Sequence, residues 1–177
     1  MSEIRNSKIE TDEVTRRARR IKLLLMDCDG VMTDGRIWLT PDGDEQKGFH
    51  ARDGVGIKLL HTAGIDTGVI SGRTSNMVTR RARELEMTFV RQDVHDKLAV
   101  LNEILKAASI GEDECAYIGD DLPDVRVMQT VGLASAVADA AEEAKQVAHY
   151  VTRAAGGFGA VREVADLILK AARENPR

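Results

Sequence analysis

Asp27 and Asp29 stand one residue apart in LLLMDCDGVMTDG (23–35), directly after an apolar run, with Gly30 able to turn the chain sharply. Three other places hold reactive groups where apolar runs end: Ser71 in VISGR, Lys97 where a helical pattern opens, and Asp120, Asp121 and Asp124 in YIGDDLPD. Five carboxylates gathered at one sheet edge repel each other by about 4 kcal/mol for each pair 4 Å apart. A cation must offset that charge. Oxygen ligands with few histidines nearby favour Mg2+, which accepts one or two carboxylates and keeps room for a substrate phosphate. Lys97 brings a second positive charge, and the Ser71 hydroxyl with backbone N–H groups at helix starts completes a phosphate cradle. The chemistry these groups share is phosphoryl transfer. Each piece alone has a plainer explanation: Asp-x-Asp as a solvated turn or helix cap, Ser-Gly as a turn, a lysine opening a helix as a solvated charge. Their order after successive apolar runs is what points to a site.

The elements that position them follow from periodicity. Strands are expected at Ile21–Asp27, Thr67–Ser71, Thr88–Val90, Cys115–Gly119, Leu133–Val137 and Tyr150–Thr152. Helices are expected at Thr74–Glu86, Lys97–Ala108, Leu122–Thr130 and Gly159–Arg173, with another over 10–20. Such alternation predicts an α/β fold, a Rossmann-like parallel sheet with helices on both faces, whose ligands bind beyond the carboxyl ends of the strands. Arg36–Phe49 breaks the alternation with two β-prone ends around Pro41, Asp42 and Gly43, and reads as a β-hairpin inserted after the first strand. It is too small to close over a substrate as a cap domain would. Its Ile37, Trp38, Leu39 and Phe49 either pack on their own domain or offer a face to a neighbouring subunit.

With 177 residues, the chain suits one domain over 1–177: an N-terminal segment 1–20, the hairpin 36–49, and a C-terminal tail and helix 154–177. Its net charge of -4 gives no reason to expect nucleic acid or an anionic membrane. The run Arg16, Arg17, Arg19, Arg20 lies beside Glu10, Asp12 and Glu13 and reads as a solvated helix face. Two cysteines outside any C-x-x-C pattern, a polar N-terminus without an apolar signal core, and no membrane-length apolar run predict a cytoplasmic location. The four histidines have no metal-ligand spacing. No G-x-G-x-x-G follows the first strand, and GGFGAV lacks the lysine and hydroxyl of a nucleotide P-loop, which disfavours dinucleotide and kinase chemistry.

DCDGV, SGR, Lys97 and GDDLPD, in this order, resemble the four motifs of the haloacid dehalogenase superfamily over residues 21–137. DGVMTDG, the hairpin, KGFHARDGVGIKLL, SGRTS, ADA and YVTRAAGGFGAVREV extend the likeness, over nearly the whole chain, to a small-cap subfamily. That resemblance implies a homotetramer with its hairpins packed together, releasing phosphate from an eight-carbon sugar acid phosphate during lipopolysaccharide precursor synthesis. It implies Asp27 as nucleophile and Asp29 as the acid that protonates the leaving oxygen and then deprotonates water, so their environments should differ. It also implies Mg2+ held by Asp27, the main-chain carbonyl of Asp29, and Asp120, with Asp121 and Asp124 behind them. Ser71 and Gly72 would hold the phosphoryl group, Lys97 would neutralise it, and Arg73, Arg52 and Arg162 are candidates for the sugar's carboxylate. Related enzymes often carry a basic residue where Phe158 stands, which bears on any reach of the tail to a neighbouring site. A phosphatase for a nine-carbon, sialic-type sugar acid phosphate would share every catalytic residue, and a non-catalytic oligomeric binding module is the reading from another class.

Overall fold

The computed structural model describes residues 12–41 and 45–173. Its elements in chain order are α1 (12–18), β1 (Leu23–Met26), β2 (Trp38–Leu39), β3 (Glu45–Gln46), α2 (Ala51–Thr62), β4 (Asp66–Ile70), α3 (Asn76–Glu84), β5 (Phe89–Arg91), α4 (Lys97–Ala108), β6 (Cys115–Gly119), α5 (Leu122–Met128), β7 (Leu133–Ala136), α6 (Glu142–Val147), β8 (Tyr150–Val151) and α7 (Ala160–Arg173). Six strands form one parallel sheet in the order β5-β4-β1-β6-β7-β8. β1 is central and wholly buried, as its unbroken Leu-Leu-Leu-Met run requires of a strand covered on both faces. The chain order reverses beside it, since β4 lies on one side and β6 on the other, which opens a crevice at the carboxyl ends of β1 and β6.

All six expected strands and all four expected helices form, most of them with an end displaced by one or two residues. Within the expected 10–20 helix, residues 12–18 are helical, and residues 10 and 11 lie outside the described residues. Its arginines face acids of the same chain: Arg16 and Arg17 meet Glu13, and Arg20 meets Asp113. Two helices were not foreseen, α2 and α6. The first follows the hairpin segment and packs on α7. Gly56 permits that approach, because a Cβ there would come within 3.0 Å of the Arg162 side chain and 3.1 Å of Ala165.

The hairpin forms, but in two-residue strands paired Trp38 to Gln46 and Leu39 to Glu45, and Asp42 and Gly43 of its turn lie outside the described residues. Ile37, Trp38 and Leu39 are exposed, Leu39 to 72%. Phe49 differs: it packs against the core beneath the Arg81 guanidinium, which sits 5.9 Å from the ring centre.

Candidate active site

β1 delivers Asp27 to the crevice one residue past its last paired position, where the Asp27 N–H still bonds the Ile118 carbonyl at 3.0 Å. The chain then turns at Gly30, with φ +98°, and a side chain at that position would collide with the Asp120 carboxylate. Asp120 and Asp121 follow β6, and Asp121 caps α5 by accepting from the Leu122 N–H at 2.8 Å. Capping α5 does not remove Asp121 from the cleft wall. Lys97 is the first residue of α4, fixed by the Asp96 side chain accepting from the Leu98 and Ala99 N–H groups.

These elements bring Asp27, Asp29, Ser71, Gly72, Arg73, Lys97, Asp120, Asp121 and Asp124 to one cleft of about 340 Å³. The Lys97 ammonium lies 2.8 Å from Asp27 Oδ1 and 2.7 Å from Asp124 Oδ1. Asp124 Oδ1 also accepts from the Tyr117 hydroxyl at 2.7 Å, and Oδ2 accepts from the Asp120 N–H at 3.0 Å. Asp124 is thus committed to holding Lys97 and the loop after β6. Tyr117 was not foreseen; one hydroxyl inside an apolar strand carries no mark in the sequence of which carboxylate it meets.

Burial pushes the Asp27 carboxyl up to about 6, helped by the Asp124 charge and opposed by Lys97. Burial and the charges of Asp27 and Asp124 push Asp120 up to about 8. Burial works against the Lys97 charge, but the two acids outweigh it and raise its pKa. Ligand atoms of Asp27, Asp120 and Asp124 lie within 4.8 Å of one another, and Asp120 Oδ1 is buried without a hydrogen-bond partner. With Asp124 engaged by donors, Asp27 and Asp120 are the two carboxylates left to face a cation. An all-oxygen set of this kind fits a hard divalent ion.

Asp29 belongs to a different network. Its carboxylate meets Lys47 and, at 4.0 Å, the Arg73 Nε, while Glu45 pairs with Arg73 and lies 3.4 Å from Lys47. Lys47 and Glu45 were missed because they lie on the hairpin, far in sequence from the motifs. Ser71 is buried, and its hydroxyl oxygen accepts from the Arg73 N–H at 3.2 Å, which leaves its hydrogen for a ligand. Arg52 and Arg162 do not line this cleft within one chain. They lie in a separate groove with Arg153, Phe158 and Lys170, and Arg162 pairs with Asp166 at 2.9 Å. Phe158 is 62% exposed there.

The haloacid dehalogenase-like hydrolase family model matches residues 85–163. The chain is 49% identical over 160 residues to 3-deoxy-D-manno-octulosonate 8-phosphate phosphatase KdsC of Yersinia pestis, covering 90% of this chain and 86% of that protein. A crystal structure of the phosphatase from Yersinia pestis superposes with a TM-score of 0.90 at 48% identity, covering 92% of this chain and 88% of that one. The corresponding phosphatase of Moraxella catarrhalis, in complex with magnesium, phosphate and a KDO molecule, gives a TM-score of 0.89 at 43% identity, with 90% and 92% covered.

Proposed function

From the premise that the chain belongs to the haloacid dehalogenase-like hydrolases, within the family of 3-deoxy-D-manno-octulosonate 8-phosphate phosphatases, we propose that it hydrolyses that sugar acid phosphate to the free sugar acid and phosphate. The observation that carries the reading is the Lys97 ammonium shared between Asp27 and Asp124 beside the unpartnered Asp120 oxygen. That is a nucleophile held by one cation and facing the place of another.

Asp27 attacks phosphorus, and the bond from phosphorus to the sugar oxygen breaks as Asp29 gives that oxygen its proton. A water then attacks the aspartyl phosphate; Asp29 takes its proton, and the Asp27 carboxylate is released with inorganic phosphate. Lys97 stabilises the negative charge shared by Asp27 and the phosphoryl group, while the Ser71 hydroxyl and the backbone beside Gly72 hold phosphoryl oxygens. Asp27, Asp120 and the main-chain carbonyl of Asp29 would hold Mg2+, which when bound neutralises the carboxylates and polarises the phosphoryl group. Asp121 caps α5 and Asp124 anchors Lys97, so both support the ligands from behind. Arg73, which lines the cleft, is the cation we assign to the sugar's carboxylate. Arg52 and Arg162 could do so only at a neighbouring subunit's site, as side chains of a groove outside their own cleft.

The chain acts as one hydrolase unit over 1–177, as a homotetramer whose hairpins pack together and cover Ile37, Trp38 and Leu39. Cys28 and Cys115 are free and buried, in keeping with the cytoplasm and with a step of lipopolysaccharide precursor synthesis. No helix among the described residues is long and apolar enough to cross a membrane.

Phosphate release is measured with and without Mg2+ on 3-deoxy-D-manno-octulosonate 8-phosphate, a nine-carbon sialic-type acid 9-phosphate and common sugar phosphates. Magnesium-dependent preference for the first is expected. Preference for the nine-carbon compound would discard the substrate and keep the mechanism, and no turnover of any would discard both.

A further inference from the structure

The charges around Asp29 form a closed ring of alternating sign. Asp29 Oδ1 meets the Lys47 ammonium and Asp29 Oδ2 faces Arg73 Nε at 4.0 Å, while Glu45 Oε1 meets the same Arg73 and Glu45 Oε2 lies 3.4 Å from the same Lys47. The ring closes over distant chain segments: the loop after β1, the β3 end of the hairpin, and the loop after β4. Glu45 and Lys47 reach it together because residues two apart project to one side of an extended chain. The Lys47 side chain is only 1% exposed, and the side chains of Glu45 and Asp29 are 15% and 18% exposed. A lysine so deeply covered needs fixed partners, because an unpaired buried charge is costly. Here both partners are carboxylates, and the Glu45 oxygen facing Lys47 is buried with no hydrogen-bond partner, so its contact is purely electrostatic.

Asp27 needs none of this: its cation is Lys97. The hairpin therefore supplies a second cation whose one reacting partner is Asp29. We propose that Lys47 is a positioning residue that holds one oxygen of the Asp29 carboxyl group, so that the other gives its proton to the leaving oxygen and then takes one from water, with Glu45 holding Lys47 and Arg73 in register. This deepens the phosphatase reading and rests on it. It also gives the insertion a purpose within its own subunit, separate from any face it offers to a second copy.

The test uses leaving-group dependence, because a poor alkoxide leaving group needs a proton from the acid whereas a good aryloxide does not. kcat/KM is measured for the alkyl ester 3-deoxy-D-manno-octulosonate 8-phosphate and for the aryl ester p-nitrophenyl phosphate, in wild type and in Lys47→Met, Lys47→Arg and Glu45→Gln, each checked by circular dichroism and thermal melting. For Lys47→Met the alkyl value should fall roughly 100-fold and the aryl value no more than about threefold. Lys47→Arg should restore much of the alkyl rate, and Glu45→Gln should shift the same ratio in the same direction by less. An equal loss on both esters, or no loss on either, would overturn the assignment, because a merely structural lysine has no reason to distinguish leaving groups. If Lys47→Met does not fold, an unchanged alkyl-to-aryl ratio in Glu45→Gln overturns it instead. A wild type inactive on the alkyl ester marks failure of the phosphatase reading, whereas an active wild type with unselective variants marks failure of this inference alone.

Discussion

Replacing Asp27, the proposed nucleophile, should make the metal-free protein more stable while it destroys activity. Asp27 sits 8% exposed between Lys97 and two other acids, and its pKa rises from an ordinary 3.8 to about 6. The sign follows by linkage. An acid whose folded pKa is raised loses its proton later in the folded than in the unfolded chain, so folding stability falls as pH climbs from about 4 through about 6. At 1.36 kcal/mol per pKa unit, the ionised form costs about 3 kcal/mol at neutral pH. Asp27→Asn keeps the shape and removes the charge, so that cost disappears. Asp120, pushed to about 8 partly by Asp27, ionises more easily in the variant, and the advantage should widen further up to about pH 8. For a chain of this size, 3 kcal/mol corresponds to roughly 6–12 °C in Tm.

The assay is calorimetry of wild type and Asp27→Asn in chelator from pH 4 to 8, repeated with saturating Mg2+, alongside turnover. The variant should be inactive and melt higher in chelator at pH 8, by an amount that vanishes near pH 4, and it should gain less from Mg2+ than wild type does. A variant that melts at or below wild type in chelator at pH 8, or whose advantage does not change with pH, would refute the account of Asp27 as a buried charge awaiting a cation.

Asp120→Ala should raise the magnesium needed for half-maximal rate at least about tenfold, and an unchanged requirement in a magnesium titration would remove Asp120 from the ligand set. Asp53 of α2 caps α7 from outside, accepting from the Arg162 N–H at 2.8 Å where Gly159 has no side chain to do so. Asp53→Ala should therefore cost about 2 kcal/mol in denaturant unfolding, and a loss below roughly 0.5 kcal/mol would show the cap to be idle. Trp38→Lys should reduce the molar mass measured by light scattering, while a mass equal to wild type would deny the hairpin face a role in assembly.

The sheet was legible because its strands are apolar runs covered on both faces, and such runs stand out wherever polar loops bound them. α2 was not, because Gly54 and Gly56 and a polar first turn hide its periodicity. Its stability comes from packing on α7, a contact between segments about 100 residues apart. The same distance explains the site. Asp27, Ser71, Lys97 and Asp120 each follow a strand of one sheet, so reading strand ends was enough to gather them. Lys47 and Glu45 enter from an insertion whose approach to Asp29 and Arg73 no local pattern records. Arg52 and Arg162 were singled out by chemistry alone, and the packing of α2 on α7 carries both into another groove.

Asp27 and Asp29, one residue apart, thus draw their partners from different parts of the molecule. The environment of Asp27 comes from the sheet and its crossover helices: Lys97 from α4, with Tyr117 of β6 behind Asp124. The environment of Asp29 comes from the insertion, through Lys47 and Glu45, and from the loop carrying Arg73. In the proposed mechanism the two carboxyl groups have different tasks, and their surroundings are unlike: Asp27 is held by a core lysine, Asp29 by a lysine of the insertion with Arg73 close by. If the proposed roles hold, changes in the hairpin should alter how a leaving group is handled while Asp27 keeps Lys97, so substrate preference should be able to vary there without loss of phosphoryl transfer.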